Sequence, residues 1–457
     1  MSQSSKTFQK DLTRGSVPRL LLSFAMPLLI SNSLQAVYNL VDMIVVGQYI
    51  GGAGMSAVSI GGDLLHLITF VAMGFSSAGQ VIIAQNVGAR DMDHVRKTIG
   101  TMFTFLLGIA LLISAVCLVL RTQILHWLNT PAESYAYTMD YAVTCMVGLI
   151  FIYGYNIVSA ILRGMGDSKR PFYFVAIAAI LNIILDIVFV VYMNMAVFGA
   201  ALATVIGQGV SFLFSIVYLY RHRDAFHFDF APSSFRIDMP ALRRLVALGV
   251  PMAIQSAAVS FSKIVLMSWI NLYGVIYSAL AGIYNTVGLI IGIVSNSFTA
   301  AGSSMVAQNL GAGKTERVPR ILRWILFFTS IISVAAGIAI VFFYPSIFSM
   351  FTSDAEVLAV SSILVLPTLV NFVGSATRSV AFSIINGSGN SRLNLAVAII
   401  DGICSRIGFA WLFGFILGMH CQGFWMGDAL AGCVPIMIGM AYLLSGKWKN
   451  AGSANKH

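Results

Sequence analysis

The chain has 457 residues, 58% hydrophobic and only 10% charged, with a mean hydropathy of +0.86 and a formal net charge of +10. No water-soluble surface can be assembled from that composition, so the chain is an integral membrane protein and no soluble domain fits between its apolar runs. Five cysteines (117, 145, 404, 421, 433) are scattered without paired spacing, four within apolar runs, and imply neither disulfides nor a metal site.

Twelve apolar stretches are each long enough to cross about 30 Å of hydrocarbon at about 1.5 Å per residue. They run approximately 17–47, 54–86, 94–120, 135–162, 171–194, 197–220, 242–270, 275–308, 318–344, 355–385, 392–416 and 423–445. The first is longer than a signal-peptide core and is followed by no small-residue cleavage site, so it reads as a retained span. It contains Pro27, where a bend is expected, and then Ser31, Gln35, Tyr38 and Asp42 on one arc of roughly 60° at 100° per residue. The second ends in Ala84-Gln85-Asn86-Val87-Gly88-Ala89. Asp63 and His66 lie within it and fit either intramembrane packing or an external vestibule.

The fourth stretch holds Tyr141, Phe151, Tyr153, Tyr155 and Asn156, candidates to line a path for flat organic cations, and ends in Arg163-Gly164-Met165-Gly166-Asp167. The fifth places Asn182 and Asp186 at i and i+4, and the sixth brings Thr204. Asp42, Asp186 and Thr204 all fall roughly 8 to 12 Å below the same surface at 1.5 Å per residue. Two carboxylates at one depth, with an amide and a hydroxyl beside them, suit a proton or a small hard cation such as sodium.

A polar connection, 221–241, joins two six-helix lobes, 1–220 and 242–457, the latter closing in a short tail. The seventh stretch shows Ser256, Ser260 and Lys263 on one face and no acid. The eighth ends in Ala307-Gln308-Asn309-Leu310-Gly311-Ala312, which repeats the motif of the second at a spacing of 223. The following Gly313-Lys314-Thr315 looks like the tail of a phosphate-binding loop, but Gln308 stands where that loop needs its first glycine, so the segment reads as a helix stop. The tenth carries Asn371, Ser375 and Arg378 on one face and ends in Gly387-Ser388-Gly389-Asn390-Ser391, again 223 after its counterpart. The eleventh holds Asp401, at a depth where it could pair with Arg378, and Arg406. Pro251 answers Pro27 at 224, and duplicated halves in a polytopic protein usually flank a substrate path, which points to a transporter.

Of 27 Lys and Arg residues, 23 fall on one side of this layout, one (Arg121) on the other, and Lys263, Arg378 and Arg406 within spans. The positive-inside rule then puts both termini in the cytoplasm and makes the basic excess a topology signal with no nucleic-acid partner. An intramembrane enzyme would need a nucleophile with its base or a metal cluster, and the spans show neither.

The proline-bearing first helix with its buried Asp42, the Ala-Gln-Asn-Val-Gly-Ala and Arg-Gly-Met-Gly-Asp motifs, and the Asn182–Asp186 pair together resemble the multidrug and toxic compound extrusion (MATE) family, over almost the whole chain. The resemblance implies an all-α membrane protein of twelve transmembrane helices in two six-helix repeats around a central cavity. It implies a monomer among membrane lipids, needing no cofactor beyond a coupling ion, that exports small-molecule drugs or metabolites in exchange for protons or sodium. In the DinF-like branch the ion site consists of an Asp on helix 1, an Asn and an Asp on helix 5 and a Thr on helix 6, here Asp42, Asn182, Asp186 and Thr204. Pro27 would be the hinge, and Gln35, Tyr38, Asn156, Tyr141 and Arg378 would meet substrate. The NorM-like branch adds an acid on helix 7, which this chain lacks. The alternative in the same superfamily is a lipid-linked saccharide or phospholipid flippase, in which Lys263, Arg378 and Arg406 would bind pyrophosphate. Arg378 and Asp401 read either as a structural ion pair or as part of a cationic patch facing the cavity.

Overall fold

The structure, a computed structural model, describes residues 11–450. In hydrocarbon every backbone polar group needs an internal partner, and uninterrupted apolar runs meet that demand as helices. Among the described residues eleven helices are long and apolar enough to span a bilayer, and a twelfth span forms from two helices bent by 48° at one break. In chain order they are α1 Val17–Ile50, α2 Gly52–Ala89, α3 Met92–Val119, the bent α4 (Tyr135–Val147 with Leu149–Gly164), α5 Lys169–Tyr192, α6 Ala196–Arg221, α7 Met239–Asn271, α8 Val275–Gly311, α9 Thr315–Ser349, α10 Ala355–Ser388, α11 Ser391–Ile416 and α12 His420–Leu444. This is the all-α, twelve-span, two-repeat architecture expected from the sequence.

Among the described residues the chain packs as two compact units, one of Met26–Val250 and the other of Leu12–Ala25 with 251–450. The boundaries therefore depart from lobes cut at the 221–241 connection. Leu12–Ala25 lies in the first repeat by sequence but in the second unit by packing, and 239–250 does the reverse.

The repeated Ala-Gln-Asn motif supplies the physical reason. In the second unit Leu12 N donates to Gln308 Oε1 at 3.1 Å, Asn309 Nδ2 donates to Leu12 O at 3.2 Å, and Lys314 Nζ donates to Thr13 O at 2.9 Å. In the first, Arg244 donates to Gln85 Oε1, and Asp238 N donates to Thr101 Oγ1 at 3.0 Å. The motif of α8 thus holds the segment that leads into α1, and that of α2 holds the opening turns of α7. The 221–241 connection is itself docked on α3, where Phe228 and Phe235 pack on Phe103 at ring separations of 6.3 and 5.9 Å.

The other repeated motif sets how closely helices pack. A Cβ on Gly164 would stand 2.9 Å from the Gln80 carbonyl of α2, and one on Gly387 2.9 Å from the Ser303 carbonyl of α8 and 2.8 Å from Val306 Cβ. Two residues on, Gly166 and Gly389 take left-handed backbone (φ 88° and 71°) to end the helix, and Asp167 and Asn390 accept the first amides of the next one. Gly387→Ala should therefore push α10 off α8 and cost about 1 to 3 kcal/mol, read as a lower Tm in detergent, whereas Gly408→Ala, where a Cβ meets nothing, should leave Tm nearly unchanged.

Candidate functional site

The candidate ion-coupling residues come together within the first unit. Asp42 on α1, Asn182 and Asp186 on α5 are all buried, Asp186 completely. Asn182 Nδ2 donates to Thr204 Oγ1 of α6 at 3.4 Å. The carboxyl groups of Asp42 and Asp186 are close enough to interact electrostatically. Yet Asp42 Oδ1, both oxygens of Asp186 and Asn182 Oδ1 are buried with no donor. Buried acceptors left without donors cost several kcal/mol unless a proton or metal cation enters. Directly after Asp186 the helix widens into a π-helical turn, Ile187–Tyr192, a form common at functional sites.

The candidate substrate residues divide. Tyr38, half-buried, lies 3.5 Å from Gln208 Nε2 and feels the charge of Asp42, as does the buried Tyr141. Gln35 is half-buried one turn below Tyr38, and Asn156 is half-buried but donates to Ile152 O of its own helix at 2.8 Å. Tyr153 and Tyr155 turn inward, their hydroxyls donating to Ile68 O at 2.9 Å and Pro171 O at 3.3 Å, so they pack the unit and line no path. Phe151, Asp63 and His66 are exposed. Pro27 stands two residues beyond the point where α1 passes between the units, and Ser31 Oγ donates to its carbonyl at 2.9 Å.

In the second unit Arg378 donates to Asp401 Oδ2 at 2.7 Å, with its guanidinium 5.1 Å from the Phe382 ring. Arg406 reaches the other oxygen of Asp401 at 3.5 Å and pairs with Asp428 of α12, whose second oxygen accepts from Tyr284 at 3.4 Å. Lys263, exposed, completes the charged group near Asp428. Sequence reasoning missed Asp428. An acid inside an apolar span is a signal in its own right, and Asp428 is the one acid within the twelfth stretch.

A family model, MatE, matches residues 27–188 and again 251–412. A probable multidrug resistance protein of Bacillus subtilis, YoeA, is 29% identical over 448 residues, covering 96% of each chain. A probable multidrug resistance protein of Thermotoga maritima, NorM, is 24% identical over 97% of this chain and 96% of its own. A solved MOP superfamily transporter from Pyrococcus furiosus, described as having a binding pocket of reverse polarity that suggests a different function, superposes with a TM-score of 0.90 at 21% identity over 98% of this chain and 99% of its own.

Proposed function

The chain belongs to the MatE family of multidrug and toxic compound extrusion transporters, and from that premise we propose that it is a proton- or sodium-coupled antiporter of drugs or cationic amphipathic metabolites. It works by alternating access, as a monomer in the cytoplasmic membrane with both termini inside. The observation that carries the reading is the set of buried acceptors without donors on Asp42, Asn182 and Asp186. An exchangeable cation satisfies them, and an organic cation drawn to the same low-dielectric carboxylates competes with it. Ion entry then expels drug, which is antiport. Pro27 is the hinge, and Gln35, Tyr38, Tyr141 and Asn156 meet the substrate.

Against the flippase alternative stands the engagement of its would-be phosphate ligands. Arg406 is bound by Asp428 and Asp401 and only 5% exposed, and Arg378 is bound by Asp401. Only Lys263 is left with an open ammonium.

Proteoliposomes with an imposed proton or sodium gradient test the reading. A fluorescent organic cation should move against one of these gradients and stop when the gradient is collapsed. No cation movement under either gradient, together with translocation of a lipid pyrophosphate, would replace the exporter with the flippase.

A further inference from the structure

The two repeats differ most where the first holds its ion site. The connections that follow α5 and α11 are built alike. Met193 N donates to Val188 O and Met195 N to Phe189 O, both at 2.9 Å, and Leu417 N donates to Leu412 O at 2.9 Å and Met419 N to Phe413 O at 3.0 Å. Ala196 and His420, which open α6 and α12, both take positive φ, 49° and 51°. Each correspondence spans 224 positions. Carried along the same helices, that offset sets Arg406 in the place of Asn182 and Asp428 in the place of Thr204. It also sets Leu266 and Ala410 in the places of Asp42 and Asp186.

The pair that forms a neutral hydrogen bond in the first unit, Asn182 to Thr204, is thus an ion pair in the second, Arg406 to Asp428. In the first unit two buried carboxylates, Asp42 and Asp186, lie beside that pair; in the second Asp428 is itself a member of the pair and one further buried carboxylate, Asp401, lies beside it. In the first unit Asp42 Oδ1 and both oxygens of Asp186 meet no donor. In the second the carboxylates meet guanidinium N–H groups, Asp401 from Arg378 and Arg406 and Asp428 from Arg406. A buried acid pair needs positive charge, which can arrive from water or be part of the chain.

We propose that the Arg406 guanidinium is a tethered cation, standing permanently in the second unit where the first accepts an exchangeable one. The chain therefore carries one exchangeable-ion site, and that site is in the first unit. The inference rests on the reading of Asp42 and Asp186 as an ion site.

Thermal unfolding of the full-length chain in detergent tests it, in sodium chloride against choline chloride and across acidic to alkaline buffers. The wild-type Tm should rise with sodium or with acidity, and Asp42→Asn should abolish that shift without a residue from the second unit. Adding Arg406→Gln to Asp42→Asn should lower Tm in cation-poor buffer and restore a rise with sodium or acid, now through Asp401 and Asp428. A Tm depressed equally under all conditions would overturn the proposal, as would a wild-type response that survives Asp42→Asn but disappears with Asp401→Asn. A wild type with no cation response would instead strike the reading of Asp42, a separable result, and the gain in Arg406→Gln would still decide the role of Arg406. Should that variant not fold, Asn182→Arg decides, because it adds one fixed positive charge beside Asp42 and Asp186. Its Tm without cations should exceed that of wild type and its response to sodium or acid should shrink, and an undiminished response refutes the tethered-cation role.

Discussion

Asp42→Asn should reduce gradient-driven export to the level of empty liposomes while leaving the protein folded and inserted. The amide is nearly isosteric with the carboxylate and brings N–H donors to a place where Asp186 has two unsatisfied oxygens. A buried acceptor that gains a donor recovers about 1 to 3 kcal/mol of desolvation cost, so Tm without coupling ions should equal or exceed that of wild type. The same amide removes one of the two negative charges that draw a cation, and it cannot take up and release a proton at physiological pH. Loss of transport with undiminished Tm separates an ion-binding role from a packing one. Wild-type transport rates in Asp42→Asn would remove Asp42 from the mechanism.

The second large effect lies in the charged network of the other unit. Asp401→Asn strands Arg378, and a buried pair broken on one side costs about 3 to 5 kcal/mol. Arg378→Gln should cost less, because Asp401 keeps Arg406 at 3.5 Å and the Arg378 side chain is 23% exposed. Neutralising both should recover much of the loss, since Arg406 and Asp428 still satisfy each other. Tm values of the four proteins in detergent check this, and a double variant no more stable than Asp401→Asn would refute the coupling.

Much of this was legible in the sequence because the bilayer demands it. Long apolar runs have few alternatives to helices, and the twelve stretches match the twelve spans to within a few residues at most ends. The arc of Ser31, Gln35, Tyr38 and Asp42 and the i, i+4 pair Asn182 and Asp186 could be placed because helical periodicity fixes faces and helix length fixes depth. Pairing of Arg378 with Asp401 was visible in the same way, by matched depth on adjacent spans. The roles of Gln85 and Gln308 were not legible. They read as part of a repeated motif at the ends of two spans, yet both are buried and hold chain distant by 159 and 296 positions, a relation no local pattern encodes. Tyr153 and Tyr155 looked like path-lining aromatics and are core, because periodicity assigns a face to a helix without saying what that face meets.

The exchange of short segments between the two compact units bears on how such a chain arose. If the gene is cut within 221–241, the first fragment leaves behind the stretch at 239–250 that its unit packs, and the second loses Leu12–Ala25. Neither fragment is a complete folding unit, but two copies of one six-helix ancestor, each lending its opening segment to the other, would be. That is a segment-swapped homodimer, and fusing its two genes end to end would reproduce the present connectivity. After fusion the two copies could diverge, which an obligate homodimer forbids, and an acidic site in one half could coexist with an arginine-locked one in the other.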